Sequence, residues 1–201
     1  MKIEHPALVV ISGPSGVGKS TVIHKVMETE KDIYFSVSAT TRAPREGEVN
    51  GVDYIFIEKA EFEDLIKNDG LLEYTEFAGE YYGTPRAQMQ QQYDAGKDVF
   101  FDVDFVGVRS MREKLPQSAF VLLVPPSMEV LEERLRGRGT ETEAKIQQRL
   151  ATARSYIEAA DAFDYVISVE NPEYAAERLE AVLVSQRQKI MDAEKIKELF
   201  I

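Results

Sequence analysis

The chain has 201 residues, 44% of them hydrophobic and 29% charged, which suits one sizeable globular core with room for a smaller inserted lobe and excludes a disordered chain. A formal net charge of −11 argues against general binding to nucleic acid or to an anionic membrane, so any anionic ligand must be held by a local cationic pocket. The absence of cysteine excludes disulfides and thiolate metal sites and permits a reducing, cytoplasmic setting.

In chain order, apolar β-rich runs predict strands at 7–12, 34–36, 99–103, 119–124 and 165–169. Helical spacing follows at 19–30, 105–114, 128–136, 142–160 and 173–200, the last with a break allowed. Ser127 is placed to cap the third of these helices, and Pro172 stands at the entry of the last. "AFVLLV" (119–124) is closed by Pro125 and Pro126, far short of the ~20 residues that span a bilayer. The first dozen residues carry an acid and too short an apolar run for a signal peptide. Apolar strands alternating with helices predict an α/β fold, a parallel sheet covered on both faces. Residues 37–93 break the rhythm with Gly, Pro, Tyr and charge; with a short strand at 54–57 and a helix at 60–68 they read as a small, mostly antiparallel insertion. The expected organisation is a core of 1–36 and 94–201 with the 37–93 lobe inserted. Within the core a lid spans about 134–149, including a Gly-rich flap, "GRGTET" (137–142).

The densest chemistry lies in "VVISGPSGVGKST" (9–21), where residues 13–20 fit G-x-x-x-x-G-K-[ST] without substitution. Such a turn aims successive backbone N–H groups inward as an anion nest, and the following helix adds its positive end. Gly13, Pro14, Ser15, Gly16, Val17, Gly18, Lys19, Ser20 and Thr21 are therefore the expected grip on a nucleoside triphosphate, which the resemblance given below makes ATP, with Lys19 reaching the terminal phosphates and Ser20 offering a hydroxyl to Mg²⁺. A phosphate-bound Mg²⁺ also needs a carboxylate, and Asp102 at the end of the 99–103 strand is the candidate, acting partly through water.

Three further stretches bear on the acceptor. "SVSATTRAPREGEVNGVDY" (36–54) sets Arg42 and Arg45 on one loop, "LLEYTEF" (71–77) places Glu73 in an apolar setting, and "EYYGTPR" (80–86) brings two tyrosines and Thr84. Guanidinium forks and tyrosine hydroxyls suit a phosphate monoester. Together with "SGPSGVGKST", "VFFDVDFVG" and "LEERLRGRGTETEAKIQQRL", these stretches resemble the guanylate kinase family, in its order and spacing, over nearly the whole chain apart from the C-terminal tail. The resemblance implies a P-loop core and transfer of the γ-phosphoryl group of Mg-ATP to GMP, and to dGMP, in purine nucleotide metabolism. It implies that Arg42, Arg45, Tyr54 and Tyr82 hold the GMP phosphate while Ser38, Glu73, Thr84 and Asp104 read the guanine. The assignment is chemically apt, because guanine offers N1–H and N2–H₂ donors that carboxylates and hydroxyls complement.

Arg134, Arg138 and Arg149, around the Gly-rich flap, are implied to clamp the triphosphate, Arg134 and Arg138 in the ATP site itself. Arg112, Arg136 and Arg154 read instead as solvated helix charges. The nucleophile is an oxygen of the acceptor's own phosphate, so no general base is needed; positioning and charge cancellation by Mg²⁺, Lys19 and Arg42, Arg134, Arg138 and Arg149, with Asp102 on the metal, carry the chemistry. His5 and His24 have no role in it, and His24 is expected to pack on the first helix. One departure is Val106, where the family usually carries a polar residue. Two rival readings are a non-catalytic phosphopeptide-binding module of the same fold and a kinase for another phosphorylated small molecule. The intact Lys19, Ser20 and loop glycines weigh against the first, and Glu73 with Asp104 against the second. The expected partners are ATP and GMP or dGMP, with no nucleic acid and no membrane; monomer and homo-oligomer are equally compatible with the sequence.

Overall fold

Five parallel strands make the main sheet of the computed structural model, which describes residues 5–137, 139 and 142–189. They are β1 (Leu8–Ser12), β2 (Ile33–Phe35), β7 (Asp98–Asp102), β8 (Ala119–Val124) and β9 (Tyr165–Ser168), in the order β2-β7-β1-β8-β9. The central strand β1 is buried along its whole length, and its register aligns Val10 with Phe101 on one side and Phe120 on the other. Because side chains alternate along a strand, Val9 and Ile11 face one layer and Leu8 and Val10 the other. The first layer holds α1 (Lys19–Thr29) and α7 (Pro172–Arg187), which bury Val22, Ile23 and Val26 against Leu179 and Leu183. The opposite layer holds α4 (Phe105–Lys114) and α3 (Arg86–Asp94), packed through Val108, Met111 and Met89. Helices α5 (Met128–Gly137) and α6 (Glu143–Glu158) form a smaller cluster around Leu131, Leu135, Ile146 and Leu150, and a 3₁₀ turn (Ala160–Ala162) leads into β9. Both layers are covered, as the continuously apolar strands require.

A second sheet of four strands follows β2: β3 (Ala39–Thr40), β4 (Ile55–Phe56), β5 (Leu71–Phe77) and β6 (Glu80–Pro85), in the order β4-β3-β6-β5. β3 runs parallel to β4 and antiparallel to β6, and β5 and β6 form a hairpin around Ala78 and Gly79, both at positive φ. Helix α2 (Lys59–Lys67) closes this sheet through Phe62, stacked on Tyr81 at 5.2 Å. Leu72 of β5 joins the core layer of α4, and Lys114 donates to the Leu71 carbonyl at 2.7 Å, so the second sheet is fastened to the first there.

The parallel-sheet elements agree with the sequence reading to within one or two residues at most ends, and α4 matches it. The hairpin strands and α3 are findings of the structure. Helix α7 ends at Arg187; the remainder of the expected 173–200 helix, from 190 onward, lies outside the described residues, as does the C-terminal tail. His24 is exposed rather than packed. Arg112 is not merely solvated: it donates to the Ala162 carbonyl and to Asp164 and lies 4.1 Å over the Phe120 ring. Arg136 bridges Glu132 and Glu143, which links α5 to α6.

At the end of the sheet away from the Gly-rich loop, Asp98 is 4% exposed and ties β7 to the residue before β1 and to the last residue of α7. It accepts from the Ala7 amide at 2.7 Å and from Arg187 at 3.0 Å, and Arg187 also donates to Glu30 at 2.6 Å. Asp98→Ala strands a buried amide and an inward-facing guanidinium, so it is expected to lower unfolding free energy by about 3 kcal/mol. Urea denaturation measures this; turnover under native conditions should be unchanged, since the network is remote from the loop.

Candidate active site

The Gly-rich loop leaves the C-terminal end of β1 and enters α1. Its path is fixed by close approach: a Cβ at Gly13 would stand 2.3 Å from the Leu123 carbonyl oxygen of β8. Gly18 caps α1 with φ of 108°, a conformation that a side chain would oppose. Val17 is fully buried and anchors the loop, whose inner face opens on a cavity of about 580 Å³ lined by Gly13 to Gly16, Gly18 to Thr21, Asp102 to Asp104 and Tyr156. Lys19 donates to the Gly13 carbonyl at 2.8 Å and stands 3.8 Å from Asp102, so the ammonium lies between loop and strand end. Burial pushes the Asp102 carboxyl upward against the opposing pull of Lys19, with Asp104 adding to the rise. Ser12 ties β1 to the end of β7 by donating to the Val103 carbonyl at 2.6 Å.

Arginines surround this loop. Arg134 donates to the carbonyls of Val17 (3.0 Å) and Val169 (2.7 Å), so its guanidinium braces the loop from behind. Arg149 of α6 donates to the Ser15 hydroxyl. Arg138 lies outside the described residues, together with Thr140 and Glu141 of the flap.

A second cavity, about 450 Å³, is lined by Ser38, Tyr54, Glu73, Thr75, Phe77, Tyr82 and Gly83 from the second sheet, and by Asp102, Val103, Asp104 and Val106. Glu73 is 8% exposed, and Thr84 donates to its Oε1 at 2.6 Å. Burial raises the Glu73 carboxyl to about 7, the Thr84 hydrogen bond opposing the rise and the Asp104 charge adding to it. Asp104 caps α4, its Oδ1 accepting from the Gly107 amide at 2.9 Å. Beside these groups, Tyr54 and Tyr82 meet edge-on at 6.0 Å with Arg42 5.4 Å above the Tyr54 ring. Arg42 makes a two-pronged pair with Glu48, both contacts at 2.9 Å, and the Arg45 amide donates to the same carboxylate at 2.7 Å. Arg42 and the Arg45 amide hold the Glu48 carboxyl down at about 2. Arg45 itself is exposed.

The structure thus gathers Ser38, Tyr54, Glu73, Tyr82 and Asp104 on one cavity, with Thr84 behind Glu73, and the loop residues with Asp102 on the other. Asp102, Val103 and Asp104 line both. Three contributors escaped the sequence reading. Glu48 shares its loop with Glu46, and nothing in the spacing distinguishes the two. Tyr156 falls on the apolar stripe of α6 and reads as core, yet its hydroxyl accepts from the Phe105 amide at 3.2 Å on the cavity floor. Phe77, 69% exposed at the end of β5, lines the second cavity together with Val106, 61% exposed.

A Gly-rich phosphate loop between a central parallel strand and its helix, with a second sheet raised beside it, defines a P-loop α/β protein. The model of the guanylate kinase family matches residues 5–186. The chain is 45% identical to the guanylate kinase of Bacillus anthracis over 187 residues, spanning 92% of this chain and 91% of that protein. It is 44% identical to that of Bacillus subtilis (strain 168), with 92% of both chains covered. Its fold superposes on the crystal structure of guanylate kinase from Anaplasma phagocytophilum with a TM-score of 0.75 at 32% identity, covering 97% of this chain and 95% of the other. The chain belongs to the guanylate kinase family.

Proposed function

We propose that this protein transfers the γ-phosphoryl group of ATP to GMP, and to dGMP, giving ADP and the nucleoside diphosphate. The observation that carries the reading is the wall of Asp102, Val103 and Asp104 shared by the two cavities, which sets a phosphate-gripping loop and an acidic, hydroxyl-lined pocket side by side. The loop from Gly13 to Thr21 holds the donor, with Lys19 at its terminal phosphates. Arg42 and Arg45, beside the second cavity, hold the acceptor's phosphate with Tyr54 and Tyr82, and Ser38, Glu73 and Asp104 face the base, with Thr84 acting from behind Glu73. Adenine presents an acceptor where guanine presents N1–H, so an ionised Glu73 selects guanine.

The acceptor phosphate attacks in line, so what this chain supplies is placement and positive charge. Arg134 keeps the loop in register through Val17, and Arg149 sits at the loop's outer edge, ready to meet donor oxygens. The Ser20 hydroxyl and the Asp102 carboxylate are hard oxygen donors on one cavity, which fits Mg²⁺. Among the described residues no cluster of three His, Cys, Asp or Glu side chains could hold a metal alone, in keeping with an ion that arrives with the triphosphate. When bound it supplies neutralising charge at the phosphates. Residues 37–93 serve as the acceptor lobe and 134–149 as a lid over the core. Among the described residues no helix is long and apolar enough to cross a membrane; a cytoplasmic setting suits the substrates.

A coupled ADP-release assay with ATP and GMP, dGMP, AMP, UMP or CMP tests this. GMP is expected to exceed AMP in kcat/KM by about 10²-fold or more. Equal rates with all acceptors, or no ADP release with any, overturn it.

A further inference from the structure

The guanine reading above leaves one position unexplained, Gly107, in the first turn of α4. We propose that Gly107 is a positioning residue for base recognition, acting through Glu73; the inference rests on the proposed acceptor site. A Cβ built at Gly107 would lie 3.0 Å from Glu73 Oε2, 3.1 Å from its Cγ and 3.2 Å from its Cδ. Those separations are tighter than ordinary carbon contacts, so either the carboxylate or the helix must give way. Glu73 has little room to yield, being 8% exposed with Oε1 held by Thr84 at 2.6 Å. The helix is equally confined, since Val108 and Met111 of α4 pack with Leu72 in one core layer.

The oxygen that the missing side chain spares is the one that matters. Oε1 of Glu73 is taken by Thr84, so Oε2 is the atom left to accept from a base donor. On its other side, Gly107 gives its amide to Asp104 Oδ1, and Asp104 also lines the cavity. One residue therefore adjoins both base-facing acids, holding one oxygen of Asp104 and clearing space for the free oxygen of Glu73.

The backbone does not demand glycine here. Gly107 lies within α4 and is absent from the positive-φ residues, and a helix interior prefers alanine. Helix propensity taken alone therefore makes Gly107→Ala harmless or stabilising, and only the crowding against Glu73 opposes it. Recognition predicts a separation between the substrates: acceptor binding lost, donor binding kept.

The experiment measures KM for GMP and for ATP, with Tm, in Gly107→Ala, Glu73→Ala and the double variant. Gly107→Ala is expected to raise KM for GMP tenfold or more, to leave KM for ATP within twofold, and to keep a cooperative melt. In the Glu73→Ala background the same change should alter KM for GMP less than twofold, since its effect runs through Glu73. A KM for GMP within twofold of wild type in Gly107→Ala, a loss that persists undiminished in the Glu73→Ala background, or a lowered Tm with both KM values raised, overturns the inference. If Glu73→Ala by itself leaves KM for GMP unchanged, the guanine reading fails; if it raises KM while Gly107→Ala is silent, only the role of Gly107 fails.

Discussion

Lys19→Ala is expected to lower kcat by about 10³-fold with the fold intact. The ammonium is the formal positive charge that the loop itself brings to the donor cavity, set 2.8 Å from the Gly13 carbonyl and 3.8 Å from Asp102. In phosphoryl transfer nearly all of the catalysis is positioning and charge stabilisation, so no other chemistry compensates for its removal. Stability should change little, because Lys19 is half-buried and the loop is held by glycine geometry, buried Val17 and Arg134. Steady-state kinetics with saturating ATP and GMP, alongside a thermal melt, measure both parts. A variant that keeps a tenth of wild-type turnover would remove Lys19 from the mechanism.

The second large effect concerns Glu73 and pH. Burial raises its carboxyl to about 7, with Asp104 pushing the same way and Thr84 and Lys114 pulling back. A base donor needs the ionised form, so kcat/KM for GMP should fall about tenfold per unit as pH drops below about 7, while KM for ATP stays flat. The acceptor's own phosphate also titrates, at about pH 6. Glu73→Gln separates the two: its profile should keep only the phosphate's limb and lose the limb at about 7, with GMP preference over AMP reduced by about 10²-fold. The stability sign runs the other way. A carboxyl raised in the folded state binds its proton more tightly than the unfolded chain does, so its contribution is full below about 4.5 and lost as pH rises through about 7. Glu73→Gln should therefore melt no lower than wild type at alkaline pH. A GMP profile of Glu73→Gln identical to that of wild type would refute the assignment.

The Gly-rich loop was legible because its chemistry is contiguous: the residues from Gly13 to Thr21 specify turn, nest, ammonium and hydroxyl without reference to the rest of the chain. The α/β core was legible for a related reason, since buried parallel strands read as unbroken apolar runs. The hairpin β5–β6 was harder, because Tyr74 and Phe77 are exposed and polar residues intervene. Helix α3 buries only Met89 and shows no apolar stripe. Around the second cavity the residue types were visible through the family resemblance, but their arrangement was not. That Thr84 occupies one oxygen of Glu73 while Gly107 spares the other follows from how the hairpin packs against α4, across sequence separations that no local pattern encodes. The pairing of Arg42 with Glu48 rather than Glu46 is likewise decided by loop geometry.

That pairing bears on how the protein responds to salt. Arg42 carries its own counter-ion, a carboxylate fixed in place by two contacts and a backbone amide. An arriving phosphate therefore displaces few mobile anions from this guanidinium, and at hydrogen-bond range the ~8 Å screening length of physiological salt has little to act upon. On the proposed assignment of Arg42 to the acceptor phosphate, capture there releases few counter-ions, so the salt dependence of GMP binding is expected to reflect mainly the screening of the −11 net charge.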